Sequence, residues 1–500
     1  MRIRRWAVPV AVLALICAAI SFPGAQQGES NNDAAQRLIA ATMGPSPMEE
    51  NLRQLTDEVG GRVPGTQANG RGVAWGVEAF RQAGVDSVHT EKFTMSASWS
   101  EGDTRLEILA PLRFSPRVVS IAWSPATPSG GIEAAVVDVG DGSEENFARA
   151  GAASKGALLL VHSRLLRTWG DLFDEYLRAG PIMDRSLKAG AAGILWMSSR
   201  EQGLLYRHIN SFAGEIDRIP QALVAREDAL RIARFAAAGQ PVRARSTMPN
   251  RTGGAFEVEN VIAEIRGTDK ADEIVMIGAH LDSWELGTGA LDNGANCALV
   301  VEVARAIRAA GIKPRRTLRF ALWNGEEQGL LGSWAYARDH RSELDRVVAY
   351  VNFDGGTGAV TGYSLGGRSD TLAAVREALA PLESWGMNTH TLDISGGTDH
   401  LDFLFEGVPT LSANQDEANY IVNYHASSDT MDKVDVFALK RHAAYAAVTV
   451  AGLANRDARL GPRQSRAQIE AQLKATGFAA QMKAFGQWDD WVAAKRGRQP

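Results

Sequence analysis

Five hundred residues, 45% hydrophobic and 22% charged, exceed what a single hydrophobic core supports and point to at least two folded units. The 53 Lys and Arg against 58 Asp and Glu leave a net charge of −5 with no basic stripe, which argues against a nucleic-acid binder. Two cysteines cannot build a disulfide scaffold.

The chain opens on Arg2, Arg4 and Arg5, continues with an apolar run over 6–20, and then places small and polar residues at 21–27. That layout is a secretory signal peptide and is too short for a spanning helix. Residues 1–27 are therefore expected to be removed, leaving a soluble, extracytoplasmic chain, secreted or periplasmic. No later run is long and apolar enough for a membrane span. The Arg4–Arg5 pair lacks the rest of a twin-arginine signal. The bulky Ile16 before Cys17 argues against a lipid anchor. Cys297 then remains as a lone thiol, read as a small buried apolar residue.

Residues 33–60 and 70–84 read as helices. Leu52, Leu55 and Val59 recur at helical spacing, and Gly60–Gly61 ends the pattern. Over 105–255, apolar runs at 132–139, 157–162 and 191–197 alternate with Gly-rich turns and one or two helical stretches. This predicts a separate β-rich module. A polar, Gly-rich link follows at 247–255. From 256, strands at 260–266, 273–279, 318–323 and 347–351 alternate with helices at 298–309 and 327–340. Such alternation predicts an α/β fold with a mostly parallel mixed sheet and helices on both faces. The stretch 461–500 is polar and helix-prone. Ile469 and Leu473, four apart, mark it as a surface helix on the body.

In open α/β sheets ligands bind beyond the carboxyl ends of the strands. His280 and Asp282 follow the 273–279 strand, Glu326 and Glu327 follow 318–323, and Asp354 follows 347–351. A loop with Gly287, Gly289 and Gly294 presents Asp292. His425 lies in a polar loop between Tyr424 and Asp429. Two histidines and three carboxylates on one edge suit a pair of zinc ions. Asp292 is the bridging candidate, because the glycines around it let backbone and ion approach closely. Glu326 and Glu327 point in different directions, so one can bind metal while the other reaches the water. Asp282 fits a supporting role that fixes the His280 ring.

Plainer readings exist. Glu326 and Glu327 also suit the first turn of a helix, and Asp292-Asn293-Gly294 is a good turn. The remaining histidines (His89, His162, His208, His340, His390, His400 and His442) are assigned to surface or core. Gly362-Tyr363-Ser364-Leu365-Gly366 matches the nucleophile elbow of serine hydrolases, with Asp399 and His425 following in the right order. Glycines on both sides of it replace the strand and helix an elbow needs.

The blocks "GAHLDSWELGTGALDNGANCALVVEVARAI", "RTLRFALWNGEEQGLLGS", "VNFDGG" and "NYHASSDTMDKVD" resemble the co-catalytic zinc exopeptidases. That family includes leucyl aminopeptidases, glutamate carboxypeptidase II and carboxypeptidase Q, and the first two blocks look most like the carboxypeptidase Q branch. The resemblance covers roughly 35–455. It implies the zinc exopeptidase fold over 28–104 and 256–460. Segment 156–199 is similar to a protease-associated domain, so 105–255 is expected to be such an insert. Carried over residue by residue, the resemblance implies that His280 and Asp354 bind one Zn²⁺, Glu327 and His425 the other, and Asp292 both. Glu326 is then the general base for a hydroxide shared by the metals, Asp282 orients His280, and Tyr424 steadies the oxyanion. No ligand is missing, unlike in the transferrin receptor, a relative that has lost its metal site. The implied activity is hydrolysis of dipeptides or terminal residues of short peptides. An aminopeptidase on longer peptides is the alternative, and a serine hydrolase using Ser364 or a binding protein is a more distant one. A homodimer is also implied.

Overall fold

The computed structural model describes residues 31–499; the signal-peptide reading and Cys17 lie outside them. Seven strands form the main sheet. In spatial order they are Ser87–Met95, Phe256–Ile265, Arg316–Trp323, Lys270–His280, Val347–Asn352, Thr410–Gln415 and Val360–Ser364. The four strands from Arg316–Trp323 to Thr410–Gln415 run parallel, and the pairs toward both edges are antiparallel. The sheet is thus mixed, less parallel than the alternation predicts. One edge has a topological reason. The chain leaves the sheet after Met95 and returns at Phe256, and these two residues are register partners. Antiparallel pairing sets exit and return side by side, so everything between them forms an outgrowth of that edge.

Alternation along the strands assigns the two faces. Val261, Ala263, Val275, Ile277, Leu318 and Phe320 pack with residues of helices Asn31–Met43, Gln67–Ala83, Ala295–Ala309 and Val436–Asn455. Ile262, Ile274, Met276, Ala321 and Trp323 pack with Tyr336 of Leu331–Asp339 and Phe403 of His400–Phe405. Each fully buried Ile, Leu or Val contributes about 1.5–3 kcal/mol. Cys297 lies fully buried in the first of these cores.

Two helices differ from their sequence reading. The 33–60 stretch breaks between Met43 and Met48, where Pro45 and Pro47 remove backbone donors. It then resumes as Met48–Arg53 and a wider turn over Gln54–Val59. The 327–340 helix begins only at Leu331, because Gly329 (φ 116°) and Leu330 (φ 63°) are left-handed. A Cβ on Gly329 would also collide with the Phe212 carbonyl.

The outgrowth has its own seven-stranded sheet, in the order Arg105–Ala110, Arg243–Thr247, Ile132–Asp138, Leu158–Val161, Gly193–Met197, Gln221–Val224 and Val118–Ser120. Its central strands are parallel and therefore need crossovers. Helices Trp169–Lys188 and Arg226–Ala237 pack on its two sides through Ala179 and Ile182, and through Ala229 and Ile232. The module is α/β, where composition predicted a β-rich one.

The tail is not one surface helix. Helices Arg466–Ala475, Phe478–Ala484 and Gln487–Val492 bury Ile469, Leu473, Phe478, Met482 and Trp491 against Leu330, Leu401 and Phe405. A buried ion pair, Arg496 Nε to Asp402 Oδ1 at 2.7 Å, fastens its end.

Candidate metal centre

The five expected ligands lie at the carboxyl ends of the parallel strands. His280 ends Lys270–His280, and Asp354 follows Val347–Asn352. Asp292 sits in the turn Ala290–Gly294 that precedes helix Ala295–Ala309. Glu327 lies in the turn after Arg316–Trp323, and His425 follows the short helix Tyr420–Asn423. They meet as two triads, His280–Asp292–Asp354 and Asp292–Glu327–His425, and within each triad the ligand atoms lie within 4.8 Å of one another. Asp292 stands between them. Its Oδ1 is 3.1 Å from His280 Nε2 and its Oδ2 is 3.2 Å from His425 Nε2. Asp354 Oδ1 is 3.4 Å from His280 Nε2, and Glu327 Oε2 is 2.8 Å from His425 Nε2. Glu326 Oε2 stands 3.9 Å from His280 Nε2, beside the first triad.

The outer ring nitrogens are held by backbone carbonyls. His280 Nδ1 donates to the Asp282 carbonyl oxygen at 2.9 Å, and His425 Nδ1 donates to the Arg207 carbonyl oxygen at 3.1 Å. Both Nε2 atoms therefore face the acids, the tautomer a ligand needs. The Asp282 carboxylate itself lies 3.7 Å from His280 Nδ1. It accepts from the backbone N–H groups of Glu326 and Glu327 at 3.2 and 3.3 Å. Asp282 thus orients His280 through its carbonyl while its side chain pins the turn carrying the two glutamates, which also explains why that turn does not join the helix.

Two positioning residues escaped the sequence reading. The Asp429 carboxylate accepts from the N–H groups of Ala290, Leu291 and Asp292 at 3.1, 2.7 and 3.2 Å, fixing the Asp292 turn. The fully buried Arg62 donates to the carbonyls of Gly60, Leu281, Thr288 and Gly289 and ties the loop between His280 and Asp292. Asp429 was visible only as a neighbour of His425, and Arg62 as an arginine in a Gly-rich loop. Neither pattern carries a spacing signal. Cys297, besides packing in the core, donates its S–H to the His280 carbonyl at 2.9 Å.

The triads open into a cavity of about 570 Å³. Three parts of the chain wall it: the main sheet, Trp169, Phe173, Tyr176 and Phe212 of the insert, and Phe478 and Phe485 of the tail. Its lining contains six Asp or Glu and, among the described residues, no Lys or Arg. The insert also reaches the centre through backbone. Arg207 N–H donates to the His425 carbonyl at 2.8 Å and Ser427 N–H to the Leu205 carbonyl at 3.0 Å. The insert therefore helps hold a candidate ligand. Tyr424 lines the cavity with its ring stacked on His425 (centroids 3.6 Å apart), and its hydroxyl meets that of Tyr176 at 2.9 Å. Ser364 is buried and donates to the Asp393 carbonyl at 2.8 Å. It is not part of the cavity wall, and the His425 ring is engaged elsewhere, so the nucleophile-elbow pattern forms no triad.

Burial, reinforced by Asp354, Glu327 and Asp399 against His280, raises Glu326 well above the usual carboxylate range. Burial likewise pushes Glu327 up to about 7. Asp292 is the exception. Burial works to raise it, but the two imidazoles hold it below its ordinary value. Burial opposes a charge on His425 too, yet Glu327 and Asp292 lift it to about 9. Glu327 Oε1, Asp354 Oδ1 and Asp292 Oδ2 are buried and accept no hydrogen bond. Buried acceptors left this way are costly unless a cation takes them, and imidazole with carboxylate is a zinc donor set. The residues present fit a pair of such ions.

An α/β sheet that gathers carboxylates and imidazoles at its strand exits defines a candidate metallohydrolase. Comparison with known proteins sharpens this. Residues 260–450 match the family model described as peptidase family M28. Carboxypeptidase Q of Mus musculus is 28% identical over 410 residues, which span 82% of this chain and 86% of that protein. The crystal structure of a peptidase M28 precursor from Shewanella amazonensis SB2B aligns with a TM-score of 0.79 at 28% identity, over 87% of this chain and 99% of that one. A zinc aminopeptidase from Bacillus subtilis shares the fold with a TM-score of 0.65 at 20% identity, over 84% and 97%. Over residues 260–450 the chain thus matches peptidase family M28, the zinc exopeptidase class that its sequence blocks resemble.

Of the histidines assigned to surface or core, His208, His400 and His442 are buried, and the other four are at least partly exposed. Burial drives His442, a member of neither triad, down to about 4. A folded value below the unfolded one means that the unfolded chain binds the proton first. The stability tied to this neutral ring is present above pH ~6.5 and is lost as pH falls toward 4. His442→Gln should therefore gain stability relative to the parent by up to about 3 kcal/mol between pH 7 and pH 4. Urea unfolding of both proteins at several pH values checks this; a pH-independent difference contradicts it.

Proposed function

We propose that this chain is a di-zinc exopeptidase that cleaves dipeptides and short peptides bearing a free amino terminus. The observation that carries the reading is the pair of triads sharing Asp292 inside a cavity that keeps Asp393 and Asp416 beyond the triads and, among the described residues, has no Lys or Arg in its lining. A substrate ammonium is favoured there and a terminal carboxylate finds no Lys or Arg to meet it. That preference sides with the aminopeptidase named among the structural neighbours and against the carboxypeptidase named among the sequence relatives.

His280 and Asp354 would hold one zinc, Glu327 and His425 the other, and Asp292 both. Zinc in such a site supplies a Lewis acid and lowers the pKa of water toward ~7. Glu326 stands free of the triads with its carboxyl raised, suited to accept a proton from water and return it to the leaving amine. Asp282 keeps Glu326 aimed by holding its backbone N–H. Tyr424, whose hydroxyl meets that of Tyr176, would donate toward an oxyanion. The aromatic walls exclude competing water.

The insert is proposed as a protease-associated module, on the resemblance of 156–199. The extracytoplasmic address rests on the charged and apolar start of the sequence, and among the described residues no helix is long and apolar enough to cross a membrane. The homodimer implied by the family resemblance belongs to the same proposal, and light scattering decides it.

Free dipeptides should be cleaved by the zinc-loaded protein and spared after chelation. N-acetylation should lower kcat/KM at least 100-fold, while C-amidation should cost under tenfold. The reverse pattern would overturn the amino-terminal reading. Glu326→Gln should retain the parent's zinc content and lose about 10²–10⁴ in kcat. Near-normal turnover in that variant removes Glu326 from the role.

A further inference from the structure

The tail meets the insert at the cavity wall, where Phe485, Phe212 and Tyr176 all line it. The Phe485 ring stands edge-on to Phe212 (centroids 5.4 Å apart, 88°) and near Tyr176 (6.1 Å, 61°). Tyr176 shares a hydrogen bond with Tyr424, which stacks on His425. Two rings, Tyr424 and Tyr176, thus lead from a candidate metal ligand to Phe485. Phe485 is only half-buried, but the helices beside it are fixed. Phe478, Met482 and Trp491 are sunk in a shared core, and Arg496 is paired with Asp402. An exposed strap would swing aside, whereas this one is fastened at both ends.

We propose that Phe485, closing on Tyr176 and Phe212, is a length-determining stop that confines substrates to about two or three residues. This rests on the peptidase reading above. The volume sets the scale: 570 Å³ equals a sphere roughly 10 Å across, the span of about three extended residues at ~3.3–3.6 Å each. A fourth residue has to pass the aromatic closure. The cost of parting it falls on long peptides alone, since short ones fit inside. Phe485 comes from the tail, and the rings of Tyr176 and Tyr424 stand between it and His425.

The test uses the full-length protein and an alanine series from dipeptide to hexapeptide. In Glu326→Gln, calorimetry reads binding without turnover. Affinity should fall at least tenfold beyond three residues. Adding Phe485→Ala should shrink that fall below threefold, and Phe485→Trp should keep it. In the catalytically intact protein, Phe485→Ala should raise the ratio of hexapeptide to dipeptide kcat/KM at least tenfold. Phe212→Ala removes the facing ring from the other side and should act in the same direction, which covers the case in which the tail variant does not fold. A length profile that is the same with and without these rings overturns the stop. If the zinc-loaded parent neither binds nor cleaves any peptide of the series, the peptidase reading fails and the stop falls with it.

Discussion

The structure turns on buried like charge. Asp292, Glu326, Glu327 and Asp354 crowd around two imidazoles in a pocket whose wall has, among the described residues, no lysine or arginine. Asp399 lies buried close by, with neither carboxylate oxygen hydrogen-bonded. Charges of one sign held this close in a low dielectric repel by several kcal/mol, and desolvation adds to that. Cations held by the two triads would relieve that repulsion, which raised Glu326 and Glu327 carboxyls otherwise relieve by holding protons. The local scaffolding serves the same end: Asp282 and Asp429 spend their charge on backbone N–H groups, and Arg62 spends its own on carbonyls. Apart from Asp399, the cluster acids left uncompensated are those that face the cavity.

Assembly of that cluster draws on the whole chain. The parallel strands bring their carboxyl ends together, and this alone aligns His280, the Glu326–Glu327 turn and Asp354. His425 is different. It sits at φ 58° in a loop whose backbone pairs with 205–207 of the insert, and its outer nitrogen is held by the Arg207 carbonyl. The insert therefore contributes to the centre as well as to the cavity wall. The tail completes the enclosure from the other side, anchored beside the turn that carries the two glutamates.

The strand–helix rhythm after 256 was legible in the sequence because continuous apolar runs and fourfold helical repeats are local signals. So was the grouping of the candidate ligands, since strand exits and Gly-rich loops mark them in chain order. Three things were not local. The antiparallel edge depends on Met95 meeting Phe256 across the whole insert. The late start of helix Leu331–Asp339 depends on the Asp282 carboxylate capturing two backbone N–H groups from another strand end. The tail's spacing of Ile469 and Leu473 showed one apolar stripe, but not that Phe478 and Trp491 bury as well and bring Phe485 to the cavity. Arg62 and Asp429 act through backbone atoms of distant loops, a role that no residue spacing encodes.

The most direct test of this account is a crystal of the zinc-loaded protein measured just above the zinc absorption edge. Two anomalous peaks are expected about 3.5–4 Å apart, one within bonding distance of His280 and Asp354, the other of Glu327 and His425, with Asp292 reaching both. A single peak, or peaks away from these side chains, would contradict it.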